Sequence, residues 1–433
     1  MGRLNRPGRS VRFALALFAA VCVVSIPVLP GAGAPPPACD PDNSGITLPA
    51  GFCALVAVNN IGSARHIAVA PNGDVYVAIL GDRSGGGGVV ALRDTKGDGH
   101  FDVKETFGAD SMTGIALRNG YLYVAKVHSV ERWKMTPGEL KPSGPAEIVV
   151  SDLPGEREHG DKGIAFDGKG GLYVNIGSPS NACQLRDRQV HSPGQDPCPI
   201  LEQHGGIWKF DENKLGQKES DGTRFVTGLR QEPAITWHDG ALYIAMNSRD
   251  QLDTLYPGQF TAQENAERPA EPLYRAEQGD NFGWPYCFYD YTLKKLIQAP
   301  EYGGDGKISD RCGKFDLPVA SYPGHWAPVD IMFYSGKQFP KHYQDGAFIA
   351  FHGSWNRAPL PQDGYNVTFQ PFSGGKPSGD FEIFANGFAG KTPLMNPNDA
   401  VSRADGVAQA PDGSLYIGDS QKGKIWRVFY RGK

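Results

Sequence analysis

The stretch from Ile67 to Val77 reads IAVAPNGDVYV: an alternating apolar run, a Pro-Asn-Gly-Asp turn, then a second alternating run centred on Tyr76. Period-two alternation is the pattern of a half-buried strand, and an Asn-Gly step between two such runs makes a hairpin. The pattern returns as GIALRNGYLYV at 114–124, GIAFDGKGGLYV at 163–174, AITWHDGALYI at 234–244 and GVAQAPDGSLYI at 406–417. A looser copy runs from DIMF at 330–333 to GAFI at 346–349. Its aromatics, Tyr76, Tyr123, Tyr173, Tyr243, Phe348 and Tyr416, are spaced by about 47 to about 105 residues, room for a four-stranded blade and its insertions. Six copies predict an all-β, six-bladed β-propeller over residues 39–433, with the long segments 253–329 and 357–400 forming loops over one face. A β-sandwich or a pair of barrels is the alternative, and the sixfold hairpin favours the propeller. The last run, IWRVFY at 425–430, is expected to share a blade with FCALVAV at 52–58.

Composition narrows the class. With 43 Lys and Arg against 47 Asp and Glu, the net charge of −4 gives no electrostatic case for nucleic acid. The 56 glycines and 34 prolines are spread along the chain and read as turns. Arg3, Arg6, Arg9 and Arg12 precede an apolar run from Phe13 to Leu29 that Pro27 interrupts, and small residues follow at 31–34. That order describes a secretory signal peptide over 1–34, with a membrane anchor as the other reading. No later stretch is long and apolar enough to span a bilayer, so the expected protein is exported, periplasmic or secreted. Cys22 lies in the signal. The other six cysteines suit disulfides in an exported chain, and of fifteen connectivities the sequence-neighbour set is Cys39–Cys53, Cys183–Cys198 and Cys287–Cys312.

The densest chemistry is REHGDKG at 157–163, on the loop entering the third repeat. It places His159 at the channel mouth, where an imidazole can act as general base toward a hydroxyl. The segment Asp94 to Glu105 has EF-hand spacing, with Gly99 at position six and Glu105 at twelve. However, Lys96 stands at a ligand position and strands flank the segment, so a solvated hairpin tip is the other reading.

The stretch EHGDKGIAF at 158–166 is followed by LYVNIGSPSNAC at 172–183, and together they resemble the sorbosone-dehydrogenase branch of the soluble quinoprotein glucose dehydrogenase family. The likeness continues through TGLRQ at 227–231, NFGWP at 281–285, FHGSWNR at 351–357 and RADGVA at 403–408. It implies pyrroloquinoline quinone as cofactor, a sugar, polyol or aldehyde hydrate as substrate, and a separate electron acceptor. His159 matches the family's base, and Arg230 matches an arginine against the reactive quinone carbonyl. Gln231 stands where the family usually has asparagine, beside the cofactor. Arg357 and Arg403 match cations that hold the cofactor's carboxylates, a role suited to the guanidinium fork. Ser248 and Arg249, in the turn 247–250, match the positions whose main-chain carbonyls bind calcium, although the family's glucose enzymes carry Gly-Pro there. Two rivals remain: a calcium-dependent lactonase-type hydrolase, and a non-catalytic propeller that binds carbohydrate or protein.

Overall fold

The computed structural model describes residues 1–3, 37–81, 86–155 and 158–432. The chain divides into two units, 1–35 and 36–433. Apart from residues 1–3, the expected signal peptide lies outside the described residues, as does Arg157 of the histidine motif. No described helix is long and apolar enough to cross a membrane.

The second unit is a six-bladed propeller, and each hairpin of the sequence repeat forms the first two strands of one blade. The innermost strands are Ser63–Val69, Met112–Arg118, Ile164–Phe166, Gln231–His238, Pro328–Phe333 and Ala404–Gln409, and each pairs antiparallel with the strand that follows it in its blade. The repeat's aromatics fall at one register. Tyr76 opposes Ala68, Tyr123 opposes Ala116, Tyr173 opposes Ala165 and Tyr416 opposes Ala408, with Tyr243 opposite Thr236 and Phe348 opposite Met332. All six are at most 2% exposed. Three of them stitch a blade to the innermost strand of the next: Tyr123 to Phe166 at 4.9 Å, Tyr173 to Trp237 at 5.0 Å and Tyr243 to Phe333 at 4.8 Å between ring centroids. Such ring pairs add about 0.5–1.5 kcal/mol each beyond their buried area.

The ring closes as the sequence suggests. Phe52–Val58 pairs with Ile425–Tyr430, so the first and last strands of the propeller complete one four-stranded blade. The long segments are more than loops. The first supplies Glu271–Ala276 and Ala320–Tyr322 to the fourth blade, with a hairpin, Cys287–Asp290 and Lys295–Gln298, inserted between them. The second supplies Tyr365–Ser373 and Glu382–Ala385 to the fifth. Disulfides join Cys39 to Cys53, Cys183 to Cys198 and Cys287 to Cys312. The EF-hand-like segment is a hairpin tip that satisfies itself. Asp94 accepts from the backbone N–H groups of Lys96, Gly97 and Gly99, and Asp102 accepts from Thr95.

Two features of the innermost strands prepare the site. Five of the six carry a β-bulge near their start, at 64–67, 112–115, 231–234, 328–330 and 404–407. Beyond the bulges, Ile67, Ile115, Ile164, Ile235, Ile331 and Val407, one from each blade, line an opening at the axis. In the third blade the innermost strand is only three residues long, and the residues at the bulge position form the loop that carries His159.

The bulge of the fourth blade buries Glu232 completely, with neither carboxyl oxygen hydrogen-bonded among the described residues. Burial pushes its pKa from 4.5 up to about 8, against the pull of Lys162 and Arg230. The folded state therefore keeps a proton that the unfolded chain releases near pH 4.5. This group's contribution to stability is complete below that pH and is lost as pH rises through about 8. Glu232→Gln should therefore gain in Tm relative to the parent as pH is raised from 4.5 to 8, measured by thermal melts across that window. A pH-independent difference would contradict this account of the bulge.

Candidate functional site

At the end of the channel where the bulged strands begin, a cavity of about 490 Å³ opens beside the third, fourth and fifth blades. Three of its walls can be built from local sequence. The loop before the short strand Ile164–Phe166 brings Glu158 and His159. The start of Gln231–His238 brings Gln231, with Arg230 just before it. The turn after Ala241–Asn247 brings Ser248, Asp250 and Gln251.

His159 rests on Gly177, where a Cβ would lie 2.6 Å from the His159 carbonyl and 2.9 Å from its Cβ, so only glycine permits the approach. Its Nδ1 lies 2.5 Å from the Ser178 carbonyl, an acceptor only. The ring must therefore carry its proton on Nδ1, leaving the lone pair on Nε2. Burial, then the charge of Arg230, pushes its pKa from 6.5 down to about 3, so the imidazole is neutral at physiological pH. A second histidine, His325, also lines the cavity, but its Nε2 is 2.6 Å from the Asn265 carbonyl and its Nδ1 3.6 Å from Asp250. His325 thus turns Nδ1 toward the Asp250 carboxylate, whereas no hydrogen bond among the described residues occupies His159 Nε2.

Asp250 organises the floor. Its Oδ2 accepts from Arg230 at 2.6 Å and from Arg188 at 3.4 Å, and its Oδ1 accepts from the Asn356 amide at 2.5 Å. Burial alone would raise its pKa, but Arg230, the His325 imidazole and Arg188 hold it well below the usual carboxylate range. Arg230 also donates to the Ser248 carbonyl at 2.8 Å. Beside it, Glu271 accepts from the Ser248 N–H at 2.7 Å, and burial lifts its carboxyl to about 7. Three polar atoms on this wall are buried without a partner among the described residues: Arg230 Nε, Gln231 Oε1 and Asn356 Oδ1.

The backbone is strained here. Five lining residues, His159, Arg188, Gln251, His325 and Ala327, hold φ between 54° and 65°, and none is Gly, Asn or Asp. Left-handed backbone costs an L-residue roughly 1–2 kcal/mol and persists where function or packing over-determines it.

The structure brings His159, Arg230, Gln231 and Ser248 together on this cavity. Arg249, Arg357 and Arg403 are not among the residues lining it. The Arg249 side chain turns away into a buried fork on Glu301, with N–O distances of 2.5 and 3.0 Å. Arg357 donates to the carbonyls of Ala266, Gly324 and Pro361, and Arg403 to those of His352, Gly353 and Pro397. Burial lowers both of their pKa values. Sequence reasoning passed over Arg188, Asp250, Glu271, His325 and Asn356. Asp250 closes a turn already singled out for its carbonyls, and Asn356 sits inside the motif that supplied Arg357. The other three carry no local signal.

A family model described as TrAA12-like matches residues 46–431. A Borreliella burgdorferi protein that bears only the name uncharacterized is 26% identical over 402 residues, covering 89% of this chain and 91% of that one. A pyrroloquinoline quinone-dependent pyranose dehydrogenase of Coprinopsis cinerea is 29% identical over 208 residues, which are 42% of this chain but only 27% of that protein. Among solved structures, the Trichoderma reesei Carbohydrate-Active Enzymes Family AA12 protein superposes with a TM-score of 0.72 at 18% identity, covering 89% of this chain and 98% of that one. The holo pyranose dehydrogenase PQQ domain of Coprinopsis cinerea gives 0.69 at 18% identity, covering 92% and 99%. These two structures share the propeller.

The Arg249–Glu301 pair generates a stability test. Both side chains are at most 2% exposed. Glu301→Gln should therefore strand a buried guanidinium and cost about 3–5 kcal/mol in urea denaturation. A loss under about 1 kcal/mol would mean that the pair does not anchor this turn.

Proposed function

The chain belongs to the TrAA12-like family, and from that premise we propose that it is an exported, pyrroloquinoline quinone-dependent dehydrogenase of sugars or related polyols and aldehyde hydrates, with His159 as its base. The observation that carries the proposal is the neutral His159, its Nδ1 committed to Ser178 and its Nε2 left as the acceptor.

The cavity suits the cofactor in size and in donor set. A volume of about 490 Å³ is in the range of cofactor pockets. The partnerless Arg230 Nε is a donor that a quinone oxygen can satisfy, and Gln231 Oε1 and Asn356 Oδ1 are acceptors that substrate hydroxyls can satisfy. Arg188 and Arg230 supply positive charge on the wall. Arg357 and Arg403, which do not line the cavity and already donate to backbone carbonyls, are proposed as partners of the cofactor carboxylates on the resemblance alone. When bound, the quinone supplies the hydride acceptor. The protein's part is to hold a substrate hydroxyl at His159 Nε2, remove its proton, and keep the Arg230 guanidinium near the oxygen that gains charge.

Calcium fits the oxygen chemistry of this wall: the Ser248 carbonyl and the Asp250 and Glu271 carboxylates are hard ligands. A calcium ion would be held by the main-chain carbonyls of Ser248 and Arg249, in competition with the Arg230 guanidinium that bonds the Ser248 oxygen, and would polarise the quinone. Electrons leave to a separate acceptor, and the three disulfides suit an oxidising compartment. Against a purely binding propeller, the backbone strain centres on a base with a free lone pair.

In dye-reduction assays at saturating quinone, His159→Gln should lower kcat by roughly 10²–10⁴-fold while leaving quinone affinity near that of the parent. The acid limb of the parent's kcat/KM should fall well below pH 6.5, because the base stays neutral down to about 3. Chelation should reduce turnover and added calcium restore it. Parental turnover in His159→Gln would remove the histidine from the mechanism.

A further inference from the structure

The segment between the second and third strands of the third blade, Gly171–Ile176 and Gly206–Asp211, is closed on itself by Cys183–Cys198. Within it, Gln184 accepts from the Arg188 N–H at 2.8 Å and donates to the carbonyls of Gln189 and Ser192, while Ser180 donates to Asp187. Both sulfurs belong to buried residues. This stapled loop directs one guanidinium, on a left-handed backbone at φ 54°, into the cavity wall. There Arg188 spans two other elements. It donates to Glu158, the neighbour of His159, at 3.1 Å, and to Gln251 at 2.6 Å and Asp250 at 3.4 Å in the turn of the fourth blade.

We propose that Arg188 is a positioning residue for the proton-abstracting step: held by the Cys183–Cys198 loop, it ties the His159 loop, through Glu158, to the Asp250 turn. The inference rests on His159 being the base. The charged groups that face His159 are Arg230 and Asp250 from the fourth blade, Arg188 from the stapled loop, and Glu158 beside it in sequence. Arg230 and Arg188 disfavour the imidazolium and Asp250 favours it. Removing Arg188 leaves the two nearby carboxylates with one guanidinium fewer, which favours protonation of His159. It also frees the loop on which the histidine rides, and a displacement of about 1 Å at a base costs up to roughly a hundredfold in rate.

The test is an NMR titration of the His159 ring in cofactor-free protein, for the parent, Arg188→Gln and Arg188→Lys. Arg188→Gln should raise the His159 pKa and, in quinone-loaded protein, lower kcat by roughly ten- to a hundredfold. Arg188→Lys keeps the charge but not the fork. It should return the titration toward the parent while restoring only part of the turnover. If Arg188→Gln does not fold, Cys183→Ala combined with Cys198→Ala frees the same guanidinium and should move the titration in the same direction. A folded Arg188→Gln protein that keeps the parental kcat would overturn the proposal. A shifted titration in a protein with no turnover in any form would instead remove the dehydrogenase reading and leave Arg188's effect on the ring standing.

Discussion

One buried carboxylate is shared by most of the cavity. Asp250 takes a guanidinium from the fourth blade, a second from the disulfide loop of the third and an amide from the fifth, and His325 faces it as well. A carboxylate has about four lone-pair positions, and a buried one must be satisfied or protonated. Here satisfaction draws its donors from three blades. The elements that position His159, Gln231 and Ser248 are therefore coupled through one shared carboxylate. Removing any one donor leaves the others with an imbalance of charge in a low-dielectric wall.

The propeller explains why the chemistry gathers at this place. Six similar hairpins make a ring whose inner surface is nearly repetitive, down to the aliphatic residue that each blade gives to the axial opening. Function enters where the repetition fails. The third blade gives up half of its innermost strand to the histidine loop, and the fourth and fifth blades carry the insertions that form the wall opposite. The bulges release short polar segments from the sheet ladder without unfolding the strand, which is how bulges re-aim side chains near active sites. Glu232, Asp330 and Asp405 occupy such bulges, buried and with raised pKa values.

Much of this was legible in the sequence because a hairpin is a local object. The alternation around Tyr76 or Tyr416, and the Asn-Gly and Asp-Gly turns, specify their strands without help from the rest of the chain. The place of His159 on the cavity was legible from its loop before the third repeat, whereas Arg230, Gln231 and Ser248 were marked only by the family resemblance of the motifs that carry them. What escaped reading depends on contacts distant in sequence. Arg249 was read for its carbonyl, yet its side chain is committed to Glu301, 52 residues on. Arg188 reaches Glu158 across 30 residues and Gln251 across 63 because a disulfide sets the path of its loop. His325 and Ala327 owe their place to left-handed backbone that their residue types do not announce.

The central claim is that this cavity binds a quinone and presents sugar hydroxyls to His159. Single-turnover reduction tests it most directly. Pyrroloquinoline quinone and calcium are added to the purified protein, free quinone is removed, and the absorption of the bound oxidised quinone is followed without an external acceptor as a panel of aldoses is added. The account predicts that quinone stays with the protein and that at least one aldose discharges its absorption within the mixing time of a hand-held experiment. Protein that retains no quinone, or retains quinone that every aldose leaves oxidised, would contradict it.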